Sequence, residues 1–120
     1  MVTGFREAFP IIAVADVDRA VAFYCETFGF ETAFSFDDEG TTTFAFLELD
    51  PLGIGIARRS GPEDPDVALW IYSDDVDGAA ERLRAAGAEQ ILAPTDQSWG
   101  ERMCTFRDAD GHLIHIGASR

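Results

Sequence analysis

Part of this chain is written twice. Asp16-Val17-Asp18 followed by Ala20 returns as Asp75-Val76-Asp77 followed by Ala79, and Gly29-Phe30-Glu31 returns as Gly87-Ala88-Glu89. In each copy an aspartate suited to cap a helix N-terminus precedes apolar residues at helical spacing, and a glycine stands where the helix must stop. The first stripe is Val17, Ala20, Val21, Tyr24 and Phe28. The second, capped by Asp74 or Asp75, is Val76, Ala79, Ala80, Leu83 and Ala86. Strand patterns flank both helices: 8–14 before the first and 30–36, 42–49 and 53–57 after it; 67–72 before the second and 89–92, 102–107 and 112–117 after it. The pattern predicts an α+β chain of two βαβββ repeats, one over about 5–58 and one over about 67–118, joined by a linker at 58–66 rich in Gly, Pro and charge. A four-stranded sheet with one helix has a bare face. Pairing two such units into an incomplete β-barrel encloses those faces and leaves a cleft between them.

The last two strands form the most informative hairpin. In Asp108-Ala109-Asp110-Gly111 the aspartates can accept from turn N–H groups, and Gly111 suits the positive φ of a tight turn. Alternation puts Leu113, His115 and Gly117 on one face and Ile114 and Ile116 on the other, so His115 is a titratable group in an otherwise apolar strand. It reads either as a site residue or as a buried, hydrogen-bonded histidine. On the 42–49 strand, Phe44, Phe46 and Glu48 share one face, and Ala45, Leu47 and Leu49 the other.

Composition narrows the function. A net charge of −13 over 120 residues argues against nucleic acid or an anionic membrane surface as partner, and favours either a cationic ligand or solubility alone. No apolar run reaches membrane-spanning length, and no export signal is visible. Cys25 and Cys104 have no metal-type spacing and are expected to be reduced thiols in a cytoplasmic protein. No nucleophile–base pair stands out. Arg102 and Arg107 are expected to pair with neighbouring acids, and Ser98-x-x-Glu101, a capping-box spacing, is followed by strand rather than helix.

Three segments in order, 14–24 with Asp16-Val17-Asp18-Arg19-Ala20 and Phe23-Tyr24, then Phe28-Gly29-Phe30-Glu31, then Trp99-Gly100-Glu101-Arg102 leading to Arg107-Asp108-Ala109-Asp110-Gly111-His112, resemble the vicinal oxygen chelate superfamily. That superfamily covers glyoxalase I, extradiol dioxygenases and bleomycin resistance proteins, and is built from paired βαβββ units. The resemblance spans nearly the whole chain. Ala109 departs from it, since the family usually has proline in that turn.

The resemblance implies a divalent metal held by His, Gln or Glu on the first, fourth, fifth and eighth strands. Those positions fall here on Phe9, on Gly55 or Ile56, on Ala68 and on His115, of which only His115 is a donor. No metal or other cofactor is therefore expected. The C-terminal pattern is most similar to the bleomycin resistance branch, whose members are homodimers that sequester a flat cationic drug between subunits. By that resemblance the chain is a non-enzymatic, antibiotic-sequestering homodimer whose cleft closes across the dimer. Its aromatic ligand would meet Phe9, Phe44, Phe46, Glu48, Trp70, Tyr72, Trp99 and His115. The alternative it leaves is a metal-dependent glyoxalase- or dioxygenase-like enzyme in which His115 and Glu48, or another carboxylate that the sequence does not place, hold the metal.

Overall fold

A computed structural model describes residues 2–118 and contains eight strands and two helices among them. They fall into two compact units, an N-terminal one of residues 9–67 and a C-terminal one in which residues 2–8 join 68–118. The fold is α+β, with the βαβββ order expected in each half.

The N-terminal unit contains most of β1 (Phe5–Val14), α1 (Val17–Phe28), β2 (Glu31–Asp38), β3 (Thr41–Leu49) and β4 (Leu52–Arg58). Its strands lie in the order β2-β3-β4-β1, with β1 parallel to β4 and the other neighbours antiparallel. Asp16 caps α1 by accepting from the Arg19 backbone N–H at 3.1 Å, and Gly29 ends it in the left-handed conformation. The helix buries Val17 against Ala45, Leu47 and Ile56, with Ala20, Val21, Tyr24 and Cys25 packed around them. Phe28, expected to close the apolar stripe, is instead 55% exposed. It stands on the last turn beside Phe23, while Cys25 and Phe30 pack against the core cluster. Asp37 and Asp38 also depart from expectation: they extend β2, and the turn to β3 is made by Glu39 and Gly40 alone.

The segment after β4 has structure of its own. Arg59 donates to the Asp64 carbonyl at 2.7 Å and pairs with Asp66 at 2.5 Å, while the Asp64 carboxylate accepts from the backbone and hydroxyl of Ser60. Those two bonds hold the Asp64 carboxyl below the usual range.

The C-terminal unit contains β5 (Val67–Ser73), α2 (Val76–Ala85), β6 (Glu89–Asp96), β7 (Arg102–Arg107) and β8 (Leu113–Ala118). Its strand order is β5-β8-β7-β6, with β5 parallel to β8. Asp75, not Asp74, caps α2 by accepting from Gly78, and Asp74 pairs with Arg6 at 2.5 Å. Val76, Ala79 and Ala80 pack on Cys104, Phe106 and Ile116, and Leu83 joins them, whereas Ala86 serves as the C-cap. Phe106 is fully buried, and removing such a ring typically costs about 3–5 kcal/mol. Arg102 ties the sheet to the helix through Asp77, at 2.9 Å to each carboxylate oxygen, and reaches Asp96 at 3.0 Å. Arg107 does not form the expected ion pair among the described residues; its guanidinium donates to the Gly111 carbonyl at 3.4 Å, drawn in by the hairpin turn.

Candidate functional site

Each unit covers one face of its sheet with its helix, and the candidate site residues on strands lie on the other. In the N-terminal unit that other face is a wall of phenylalanine. Phe34 pairs in register with Phe46, and Phe36 with Phe44, across β2 and β3. The Phe34 and Phe46 rings stack at 5.5 Å and 15°, Phe34 lies 6.2 Å from Phe44 and 5.6 Å from Phe36, and Phe9 meets Phe46 edge-on at 4.8 Å. These separations are typical of favourable aromatic pairs.

Glycines on β4 make room for the wall. A Cβ on Gly53 would overlap the Phe46 ring, and one on Gly55 would lie 3.0 Å from Phe44 and from Ile11. Phe9 and Phe46 form the buried floor at 7% and 8% exposure, while Phe34 and Phe36 remain 45% and 60% exposed. Glu48 is exposed on the same face and stands directly opposite Glu31. Of the site residues expected here, Phe44, Phe46, Phe9 and Glu48 lie on this face. Phe34, Phe36 and Glu31 join them through a register shift in β2 that simple alternation does not show.

In the C-terminal unit the face turned from α2 carries Trp70 and Tyr72 of β5 and His115 and Gly117 of β8, in register as Trp70–His115 and Tyr72–Gly117. Trp70 is 5.9 Å from Tyr72, edge-on, and 5.8 Å from His115. Beneath them β7 contributes Thr105, 5% exposed, whose hydroxyl lies 2.9 Å from His115 Nδ1. That bond orients the imidazole and leaves Nε2 without a hydrogen bond among the described residues. Burial pushes the imidazolium below its ordinary range, so His115 is neutral at neutral pH. Trp99 is elsewhere in this unit, on the β6–β7 loop. It is 57% exposed and donates from Nε1 to Glu101 at 2.8 Å, within a turn closed by Gly100, so the capping-box spacing there caps no helix.

The hairpin turn is built as expected. Asp108 accepts from the backbone N–H groups of Asp110 and His112 at 3.0 and 2.9 Å, and its other oxygen lies 3.0 Å from His112 Nδ1. These bonds keep the Asp108 carboxyl below its usual range. Asp108, Asp110 and His112 are the one grouping of metal-type side chains among the described residues, and its central carboxylate is engaged as a turn cap.

A family model described as "Glyoxalase/Bleomycin resistance protein/Dioxygenase superfamily" matches residues 7–116. The chain belongs to this superfamily. Among curated relatives it is 26% identical over 110 residues to YetH of Bacillus subtilis strain 168, covering 86% of this chain and 89% of that one. It is also 26% identical over 117 residues to YraH of the same organism, covering 88% and 91%. Both are described as uncharacterised. Among solved structures, a superfamily member from Vibrio splendidus 12B01 superposes with a TM-score of 0.74 at 21% identity, over 96% of this chain and 99% of that one. A variant of Streptomyces coelicolor methylmalonyl-CoA epimerase bound to 2-nitronate-propionyl-CoA gives 0.75 at 22% identity, over 98% and 96%. At these identities the likeness is one of fold.

Superfamily membership raises the question of a metal, and of the positions where the family resemblance places its ligands only His115 carries a donor. Phe9, Gly55, Ile56 and Ala68 offer no ligand atom at the positions where the family resemblance places them, and His115 has one nitrogen committed to Thr105. A lone imidazole cannot replace about three protein ligands.

Proposed function

We propose that this superfamily member binds and sequesters a flat aromatic small molecule on the sheet faces turned away from its helices, making and breaking no bond. The observation that carries this reading is the phenylalanine wall. Its floor is packed like a core, yet Phe34 and Phe36 hold their rings largely open to solvent. A contiguous exposed aromatic surface of this kind marks a place where something binds. Flat aromatic ligands gain both stacking and burial there. The acidic balance of the chain, and Glu31 and Glu48 opposed on the same face, favour a ligand with a positive charge; like charges directly opposite on a sheet are unfavourable unless a cation sits near them. The ligand would be antibiotic-like in being planar, aromatic and cationic. As a 120-residue chain with open faces, the protein is proposed to act as a symmetric homodimer.

Acridine orange, a planar aromatic cation, tests the reading by fluorescence titration, with the neutral ring system acridone as comparison. Saturable binding of acridine orange that weakens in Phe36→Ser and, for the cation more than for acridone, in Glu48→Gln supports it. Absence of saturable binding to either dye refutes it. Metal analysis of the purified chain is the companion measurement. Near-stoichiometric zinc, iron, manganese or nickel that disappears in His115→Ala would establish the metal-dependent enzyme in its place. Sedimentation velocity tests the dimer.

A further inference from the structure

Trp70 Nε1 is shielded from solvent and donates to nothing, and it is the one buried side-chain nitrogen or oxygen without a partner among the described residues. Buried tryptophans ordinarily find an acceptor, and each exception in a native structure calls for an explanation. The contrast within this chain is direct: Trp99, which is exposed and has water available, nevertheless donates to Glu101.

The surroundings of Trp70 show what its N–H is suited to meet. The indole lies across Gly117, where a Cβ would overlap the six-membered ring and lie 3.1 Å from Nε1. The absence of a side chain at Gly117 is what gives the ring its place. Beside it, His115 is held by Thr105 through Nδ1, with Nε2 unbonded among the described residues. If packing were the only task, phenylalanine would fill this face without burying an unsatisfied donor, which is unfavourable. The residue as a whole is only partly buried while its nitrogen is fully so, so the ring has an open edge at which a ligand can meet it.

We propose that Trp70, with His115 beside it, forms an oxygen-reading site on the face of the C-terminal unit turned from α2, whose ligand is a flat ring system carrying a carbonyl oxygen at its edge that accepts from the Trp70 N–H. This inference rests on the aromatic-ligand reading and narrows it to oxygen-bearing rings. It also gives a role to a donor that would otherwise only destabilise the fold.

The test compares fluorenone with fluorene, flat tricycles that differ by one carbonyl oxygen, using the full chain. With two tryptophans, the chain gives two indole cross-peaks in a 1H–15N spectrum, assigned through Trp99→Phe. Fluorenone is expected to bind about tenfold more tightly than fluorene, as one recovered hydrogen bond implies. It should move the Trp70 Nε1–H resonance downfield where fluorene does not. Trp70→Phe should abolish the preference, so that fluorenone and fluorene bind this variant equally. Equal affinity for the two probes, with the Trp70 resonance shifting alike for both, overturns this inference and leaves aromatic binding standing. If neither probe binds, both fall. Should Trp70→Phe fail to fold, the wild-type spectrum with the two probes still decides.

Discussion

Replacing Phe36 with serine separates what the phenylalanine wall does for the fold from what it does for a ligand. A phenylalanine side chain has about 200 Å² to bury. At 60% exposure, Phe36 leaves roughly 120 Å² of that uncovered and hides roughly 80 Å². At about 25 cal/mol per Å², the hidden part stabilises the fold by at most ~2 kcal/mol, an upper bound because the unfolded chain also buries some apolar area. A flat ligand lying on one side of the ring would cover about half of the open area, worth ~1.5 kcal/mol, or about tenfold in affinity. Phe46 is the control, since it is 8% exposed in the floor of the same wall. Phe46→Ala leaves a cavity and should cost about 3–5 kcal/mol whatever the ligand. Urea denaturation gives the two stabilities, and acridine orange titration of the folded Phe36→Ser protein gives the affinity. A folded Phe36→Ser variant that binds within twofold of wild type would refute the reasoning. So would a loss of stability as large as that of Phe46→Ala, because Phe36 would then be a core ring and not an open platform.

Three further outcomes follow from the geometry. Burial depresses the His115 pKa below its ordinary 6.5, so the unfolded chain takes up the proton first; its contribution to stability is full above 6.5, declines as pH falls through the gap and levels off once the folded-state histidine protonates. Asp64, Asp77 and Asp108 are held below 3.8 and weaken the fold only under that value, so thermal melts across about pH 5–7.5 should fall with pH in wild type and less steeply in His115→Gln. The Cys104 thiol is pushed up to about 11, chiefly by burial, so iodoacetamide near neutral pH should label partly exposed Cys25 in the folded chain and reach Cys104 only after urea unfolding, as peptide mass spectrometry would show. Gly53→Ala drives a methyl group into the Phe46 ring and should destabilise the fold by about 1–3 kcal/mol in urea melts, while Gly61→Ala, in open space, should not.

The architecture was legible because it rests on local rules applied twice. Asp16 and Asp75 each cap a helix, as the repeated Asp-Val-Asp motif predicts, and the β7–β8 hairpin follows from its turn residues. Where expectation failed, tertiary packing had intervened. Phe28 continues the helical period of Val17 and Val21, but the connection after α1 packs Phe30 against the core, and Phe28 is left outside. Trp70, Tyr72 and His115 share one face because β5 and β8 pair without a register shift. The hydrogen bond between Thr105 and His115 joins directly opposed residues of the β7–β8 hairpin; alternation within each strand does not say which residues stand opposite, and the pairing depends on the register that the turn sets.

Phe34 and Phe36, on which the proposed ligand site rests, were hidden by a single step in β2. Thr32 stands opposite Leu47 on the α1 side, with its hydroxyl 4.0 Å from the Cys25 sulfur. Strict alternation would return the chain to that side at Phe34 and Phe36, and both would read as core. The register instead passes from Thr32–Leu47 to Phe34–Phe46, two steps along β2 for one along β3, so one extra residue is accommodated and both rings move to the opposite face. No glycine or proline between Thr32 and Phe36 announces this. The shift has a packing rationale. Ala45, Leu47, Ile56 and the α1 residues already fill the space beneath the helix, and two more phenylalanines there would overpack it. On the other face they meet Phe44 and Phe46 at stacking distance and remain open to solvent. The bulge thus relieves the core and builds the aromatic surface in one step, and the identity of the residues opposite it, not any signal within β2, determines which face Phe34 and Phe36 take.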